Sequence, residues 1–131
     1  MKYKILVIED NEQNRYLLTY LLEAHGYEVV SAVDGYEGIA LARSLQPALI
    51  LLDIQLPGMD GYLVAQKLKT VPALADVPIV AVTSHAMVGD RERVMAAGCK
   101  GYIEKPINPD TFLAEIESHL PSYTAPIGGV L

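Results

Sequence analysis

Residues 47–61 read PALILLDIQLPGMDG. A continuous apolar run, residues 48–52, is followed at once by an acid and then by turn-forming Pro and Gly residues. A run this short and this uniformly apolar predicts a strand covered on both faces, as in a parallel sheet flanked by helices. We therefore predict a buried strand that places Asp53 at its carboxyl end.

Outward from this stretch, short strand-like runs alternate with helical patterns. The predicted strands are 4–8, 28–32, 48–52, 78–82 and 101–104, and the predicted helices are about 11–25, 35–45, 61–69, 88–97 and 109–120. Strands three and four, and strand one after Lys4, are continuous apolar runs, whereas strands two and five carry polar residues and are predicted to lie at the sheet edges. The predicted fold class is α/β: a flavodoxin-like, doubly wound (βα)5 sandwich with a parallel five-stranded sheet in the order 2-1-3-4-5.

Composition excludes several classes of protein. The chain has 131 residues, enough for one domain, and its 16 acids against 10 Lys and Arg give a net charge of -6. Without clustered basic residues, binding to nucleic acid or to an anionic membrane is not expected. Cys99 is the only cysteine, which excludes an internal disulfide and a CxxC site. The apolar run at residues 5–8 is too short for a signal peptide or a membrane span, and we expect a cytoplasmic protein.

Three acids follow neighbouring strands of the predicted sheet. Glu9 and Asp10 leave strand one and Asp53 leaves strand three, at the crevice where ligands bind in such sheets. Each ionised pair at about 5–6 Å repels by roughly 3 kcal/mol at an effective dielectric of about 20. The cluster must therefore carry raised pKa values or bind a hard cation, and oxygen-only ligands favour Mg²⁺.

Two other strand ends bring a hydroxyl and an ammonium to the same edge. Thr83 and Ser84 directly follow predicted strand four, and Lys105 and Pro106 directly follow predicted strand five. Taken singly, the acids are ordinary loop or cap residues, Thr83 is a common cap, and Lys105 is an ordinary surface lysine. Together, a carboxylate nucleophile, a metal, a hydroxyl and a lysine suit the formation of an aspartyl-phosphate.

With these motifs in view, the chain resembles the receiver domain of two-component response regulators. The matching stretches are VIEDN (7–11), LDIQLPGMDG (52–61), AVTS (81–84) and GYIEKP (101–106). The likeness covers about residues 3–120, so we expect a receiver domain at 1–121 and a short C-terminal tail at 122–131. Within the family, residues 10–12 and 83–87 resemble cell-cycle regulators of the DivK kind, and receivers fused to hybrid kinases are similar as well. We expect a stand-alone, single-domain receiver that resembles the DivK and CheY kind.

The resemblance implies a role for each site residue. Asp53 would be the phosphoacceptor. Asp10, Asp53 and the Gln55 backbone carbonyl would bind Mg²⁺, with Glu9 acting through water. The family usually has Asp at the position of Glu9, and the longer side chain should keep metal binding with altered geometry.

The same resemblance implies that Lys105 pairs with the phosphate and that Thr83 moves to hydrogen-bond it. Tyr102 matches an aromatic switch that rotates inward with Thr83, although by spacing alone it is equally an edge-strand aromatic covering apolar surface. The Lys105–Pro106 bond is expected to be cis. Ser84 stands where the family usually has Ala, and its hydroxyl leaves space for a phosphoryl group.

Two positions, Gln55 and His85, flank the expected path of attacking water. We hypothesise that they set the lifetime of the phosphorylated state; the alternative is that His85 is a solvated loop residue.

The expected function is a stand-alone phosphorylation switch that promotes its own phosphorylation and is not a conventional enzyme. The expected donor is a histidine kinase or histidine phosphotransfer protein that contacts residues 11–15. A downstream protein target is expected to bind about residues 88–117. The alternatives are a docking module that is never phosphorylated and a metal-dependent phosphatase of small phosphoesters. The phosphatase fits less well, since those enzymes usually place the nucleophile after the first strand.

Overall fold

The computed structural model describes residues 3–84 and 89–120. Five strands alternate with five α-helices over these residues. The strands are β1 (Lys4–Ile8), β2 (Glu28–Ala32), β3 (Leu49–Asp53), β4 (Ile79–Thr83) and β5 (Gly101–Glu104). The helices are α1 (Glu12–Ala24), α2 (Gly35–Leu45), α3 (Gly61–Lys69), α4 (Asp90–Ala96) and α5 (Pro109–Glu117), with a 3-10 turn at Pro72–Leu74 that the sequence analysis did not predict.

The strands form one parallel sheet in the order β2-β1-β3-β4-β5, which confirms the predicted α/β fold. β2 and β5 lie at the edges, as their polar residues predict. In the centre, Ile8 of β1 pairs with Leu52 of β3, and Asp53 pairs with Val82 of β4. The carboxyl ends of β1, β3 and β4 therefore lie side by side.

Alternate residues of each central strand enter separate cores because side chains along a strand point to opposite faces. Ile5 and Val7 belong to one core, and Leu6 and Ile8 to the other. The first core is closed by α1 and α5, through Leu18, Leu22, Phe112 and Ile116. The second is closed by α2, α3 and α4, through Ala42, Val64, Ala65, Leu68 and Val94. Helices on both faces leave the carboxyl edge of the sheet open for a site.

Polar side chains cap the first turns of α1, α2 and α3, which leave this edge. Asn11 accepts a hydrogen bond from the Asn14 backbone N–H, and Asp34 and Asp60 accept from the residues three positions ahead of them. Such caps satisfy backbone donors that a first helical turn leaves unpaired. Each cap residue is also the last residue of its strand-to-helix loop.

Several predicted boundaries were wrong by a few residues. β3 and β4 each begin and end one residue later than predicted, so Asp53 and Thr83 are the last residues of their strands. The polar side chains of Asp53 and Thr83 suggested that each strand had already ended, but the backbone pairing continues through both residues. α5 ends at Glu117, where Ser118 caps it, instead of at Leu120. The predicted start of the fourth helix, Val88, and the predicted tail lie outside the described residues.

Gly61 provides close contact between the start of α3 and the end of β3. A Cβ built there would lie 2.4 Å from Ile54 Cα and 2.7 Å from the Asp53 carbonyl oxygen, both backbone atoms that cannot rotate away.

We expect Gly61→Ala to destabilise the fold by about 3 kcal/mol through overpacking, measured by urea unfolding followed by circular dichroism. Gly58→Ala adds a methyl with no neighbour within 4 Å, at a φ of 77°, and should cost only about 1 kcal/mol of backbone strain. Equal losses in the two variants would contradict the packing argument.

Candidate functional site

Three carboxylates meet at the carboxyl edge of the sheet. Glu9 and Asp10 follow β1 directly, and Asp53 ends the neighbouring strand β3. One ligand oxygen from each lies within 4.8 Å of the others. Glu9 and Asp53 are only 1% and 3% exposed, whereas Asp10 is exposed. The acids that the sequence analysis singled out are therefore brought together in space.

Lys105 reaches this cluster from β5. Its backbone N–H donates to the Thr83 carbonyl at 2.8 Å, which fixes the segment against β4. Its Nζ lies 3.0 Å from Glu9 Oε1 and 3.3 Å from Asp53 Oδ2, with the side chain 15% exposed. The Lys105–Pro106 peptide bond is cis, as expected. One cation thus faces the two buried carboxylates.

Burial and neighbouring charges shift the pKa values of Glu9 and Lys105. Burial, followed by the hydrogen bond and charge of Asp53, raises the pKa of Glu9 from 4.5 to about 7, although Lys105 acts against the shift. Burial alone would lower the pKa of Lys105, but its close contacts with the Glu9 and Asp53 carboxylates outweigh burial and raise it. The lysine therefore stays protonated, and Glu9 is close to half-ionised near neutral pH.

The donor set fits a hard divalent cation. Among residues 3–84 and 89–120, Glu9 Oε1 accepts no well-aligned hydrogen bond, although it is buried and ion-paired with Lys105. A buried carboxylate oxygen with spare acceptor capacity, beside two more carboxylates, offers the oxygen-only ligation that Mg²⁺ takes. A cation would also offset the repulsion between Glu9 and Asp53, which adds to the effect of burial on the pKa of Glu9.

A hydrogen-bonded group of side chains lies beside the carboxylates. Gln55 Nε2 donates to Thr83 Oγ1 at 2.6 Å, and Gln55 Oε1 accepts from the Ser84 backbone N–H at 3.2 Å and from Ser84 Oγ at 3.1 Å. The Gln55 backbone N–H donates to Asp53 Oδ1 at 2.9 Å. The sequence predicted that the Gln55 backbone carbonyl binds Mg²⁺ and that the residue flanks the path of attacking water. It did not predict the hydrogen bond from the Gln55 side chain to Thr83. No local signal marks a pair 28 residues apart.

Arg15 also has a role that the sequence analysis missed. Its Nη1 donates to the Glu9 carbonyl at 3.0 Å and to the Asp10 carbonyl at 3.2 Å. The Asn11 backbone N–H in turn donates to Glu9 Oε2 at 3.2 Å. The guanidinium therefore holds the backbone of the acidic loop, and the loop backbone orients the buried carboxylate.

Tyr102 lies farther along the sheet, on β5 opposite Ala81. Its ring is half-buried and packs against the core formed with α2, α3 and α4, and the Arg91 guanidinium lies 5.8 Å from the ring centre. This position covers apolar surface, as one of the two alternatives for Tyr102 predicts. Rotation of the ring on phosphorylation stays a prediction, and His85 lies outside the described residues.

In the part of the chain that is described, none of the helices has both the length and the apolar character needed to cross a bilayer.

Comparison with known proteins agrees with this geometry. A family model described as the response regulator receiver domain matches residues 5–117. The chain is 44% identical over 120 residues to the polar-differentiation response regulator DivK of Brucella anthropi, covering 92% of this chain and 98% of that protein. DivK of Brucella ovis matches with the same identity and coverage.

Solved structures show the same architecture. The chemotaxis protein CheY4 of Vibrio cholerae superposes with a TM-score of 0.88 at 28% identity. The superposition covers 92% of this chain and 100% of the CheY4 chain. The receiver domain of a sensor histidine kinase from Pseudomonas aeruginosa PAO1 superposes with a TM-score of 0.86 at 30% identity, covering 93% and 100% of the two chains. That structure has a magnesium ion coordinated in its active site cleft.

Proposed function

Because the chain belongs to the response regulator receiver domain family of two-component signalling, we propose that it is a phosphorylation-dependent switch. In this proposal a histidine kinase or histidine phosphotransfer protein transfers a phosphoryl group to Asp53 in the presence of Mg²⁺. The observation that carries the proposal is the buried Asp53 carboxylate, 3.3 Å from the Lys105 ammonium and clustered with Glu9 and Asp10.

Phosphoryl transfer needs a positioned nucleophile and compensation of the oxygen charges. An Asp53 oxygen attacks phosphorus, and the P–N bond of a phosphohistidine breaks with its electron pair returning to the imidazole nitrogen. Lys105 offsets charge on the phosphoryl oxygens, and the Thr83 hydroxyl donates a hydrogen bond to one of them. Mg²⁺, bound by Asp10, Asp53 and the Gln55 carbonyl with Glu9 acting through water, would neutralise further charge on the same oxygens.

Membership of the receiver family supports a role in protein recognition. Receivers are signalling switches and not conventional enzymes, so the phosphorylated chain acts by binding another protein or by passing the phosphoryl group on. We assign donor contact to residues 11–15, because they border the acidic loop, and target contact to the α4–β5–α5 surface within residues 88–117. We place this exchange in the cytoplasm and the receiver domain at residues 1–121.

Intact-mass measurement after incubation with Mg²⁺ and acetyl phosphate tests the proposal. We expect one added phosphoryl group, lost when a chelator is present. If neither this adduct nor a beryllofluoride complex forms, the unphosphorylated docking module becomes the better interpretation.

The raised pKa of Glu9 predicts a pH effect on stability in the metal-free protein. Since the folded pKa is about 7 and the ordinary value is 4.5, the folded state holds a proton that the unfolded state has released between these values. Stability should therefore fall as pH rises through this window, by up to about 3 kcal/mol. Urea unfolding at a series of pH values with a chelator measures the loss.

Glu9→Gln is the control for this prediction, because the variant has no carboxyl at that position. The difference in unfolding free energy between the wild type and Glu9→Gln should change across the window, and saturating Mg²⁺ should oppose the loss at the higher pH. A difference that is constant with pH would show that the pKa of Glu9 is not raised.

A further inference from the structure

The Gln55 side chain joins two strands at the candidate site. Its amide nitrogen donates to Thr83 Oγ1 at the end of β4, and its amide oxygen accepts from both the backbone and the hydroxyl of Ser84. Thr83 is only 2% exposed, so the 2.6 Å bond joins a buried hydroxyl to a half-buried amide. One carboxamide thus engages the last residue of β4 and the first residue after it.

We propose that Gln55 is a positioning residue that holds Thr83 and Ser84 in the arrangement of the unphosphorylated protein. The inference rests on the proposed function, in which Thr83 moves to donate to a phosphoryl oxygen on Asp53. We call the three hydrogen bonds between Gln55 and the pair Thr83 and Ser84 the Gln55 latch. Movement of Thr83 towards the phosphoryl group must break or rearrange this latch.

The latch opposes the switch because its bonds exist in only one of the two states. A contact present only in the unphosphorylated state shifts the equilibrium towards that state by its net free energy. The Gln55 backbone N–H donates to Asp53 Oδ1 at 2.9 Å, so the residue that contacts the acceptor carboxylate also restrains the Thr83 hydroxyl. Ser84 is the first residue of the connection from β4 to α4.

Gln55→Met tests the latch, since methionine has similar length and lacks the amide donor and acceptor. In the unphosphorylated variant, the Ser84 backbone amide should exchange its hydrogen faster than in the wild type. Affinity for beryllofluoride with Mg²⁺, a stable mimic of the phosphoryl group, should rise by about three-fold to ten-fold, the range expected for losing one or two net neutral hydrogen bonds. A residue with a merely structural role would lower this affinity when removed.

Ser84→Ala removes only the hydrogen bond from Ser84 Oγ to Gln55 Oε1. It should raise the affinity for beryllofluoride by about two-fold. The double variant should gain less than the product of the two single effects, because both changes break the same bonds. Gln66→Met makes the same chemical change at an exposed position of α3 and should alter neither measurement. If Gln55→Met does not fold, Ser84→Ala alone carries the test.

The outcomes separate the latch from the proposed function. A wild type that takes up neither acetyl phosphate nor beryllofluoride contradicts the proposed function, whatever Gln55 does. A wild type that binds beryllofluoride while Gln55→Met binds equally or more weakly overturns the latch. Unchanged exchange of the Ser84 amide in Gln55→Met also overturns it, without any phosphodonor.

Discussion

Replacing Asp53 by Asn is expected to abolish the addition of a phosphoryl group from acetyl phosphate. Asn offers a neutral amide oxygen in place of the carboxylate nucleophile, and the other carboxylates of the cluster occupy different strand positions. Intact-mass measurement should show the phosphorylated form for the wild type with Mg²⁺ and only the unmodified mass for Asp53→Asn.

Asp76→Asn is the matched control, because Asp76 is exposed and is not part of the carboxylate cluster. It should be phosphorylated like the wild type. An adduct of undiminished amount on Asp53→Asn would show that another residue is the acceptor. Peptide mapping of the adduct would then identify that residue.

Lys105→Met is expected to slow phosphorylation by about 100-fold or more, the effect of removing a preorganised charge-stabilising group from a buried site. Lys105 Nζ lies 3.0 Å from Glu9 and 3.3 Å from Asp53, so it is placed to meet the phosphoryl oxygens as their charge develops. Methionine keeps an unbranched apolar side chain and removes the ammonium. The rate is measured by intact mass over time at saturating Mg²⁺.

Lys100→Met makes the same change at an exposed lysine just before β5 and should leave the rate unchanged. Circular dichroism checks that both variants fold. If Lys105→Met is phosphorylated at a rate within about two-fold of the wild type, Lys105 has no place in the proposed mechanism. Removal of a charge-stabilising group should slow the reaction far more than that.

Local patterns in the sequence predicted the order and type of the elements. Uniformly apolar runs identified β1, β3 and β4 as central strands, and polar residues in β2 and β5 identified the edges. The exact ends of strands were less predictable, because Asp53 and Thr83 carry polar side chains while their backbones still pair with neighbouring strands. Backbone pairing depends on the neighbouring strand and not on the side chain alone.

The sequence by itself determined which chemical groups reach the site, since parallel strands in a known order bring Glu9, Asp53 and Lys105 to one edge. Tertiary structure alone decided how these groups interact. The Lys105–Glu9 ion pair and the bond from Gln55 to Thr83 join residues that are distant along the chain. Raised pKa values in the acidic cluster were one of two alternatives predicted from the sequence, and burial in the folded protein assigns the raised pKa to Glu9. The distances between these groups and their desolvation arise from the packing of whole strands and helices, which no local pattern of residues encodes.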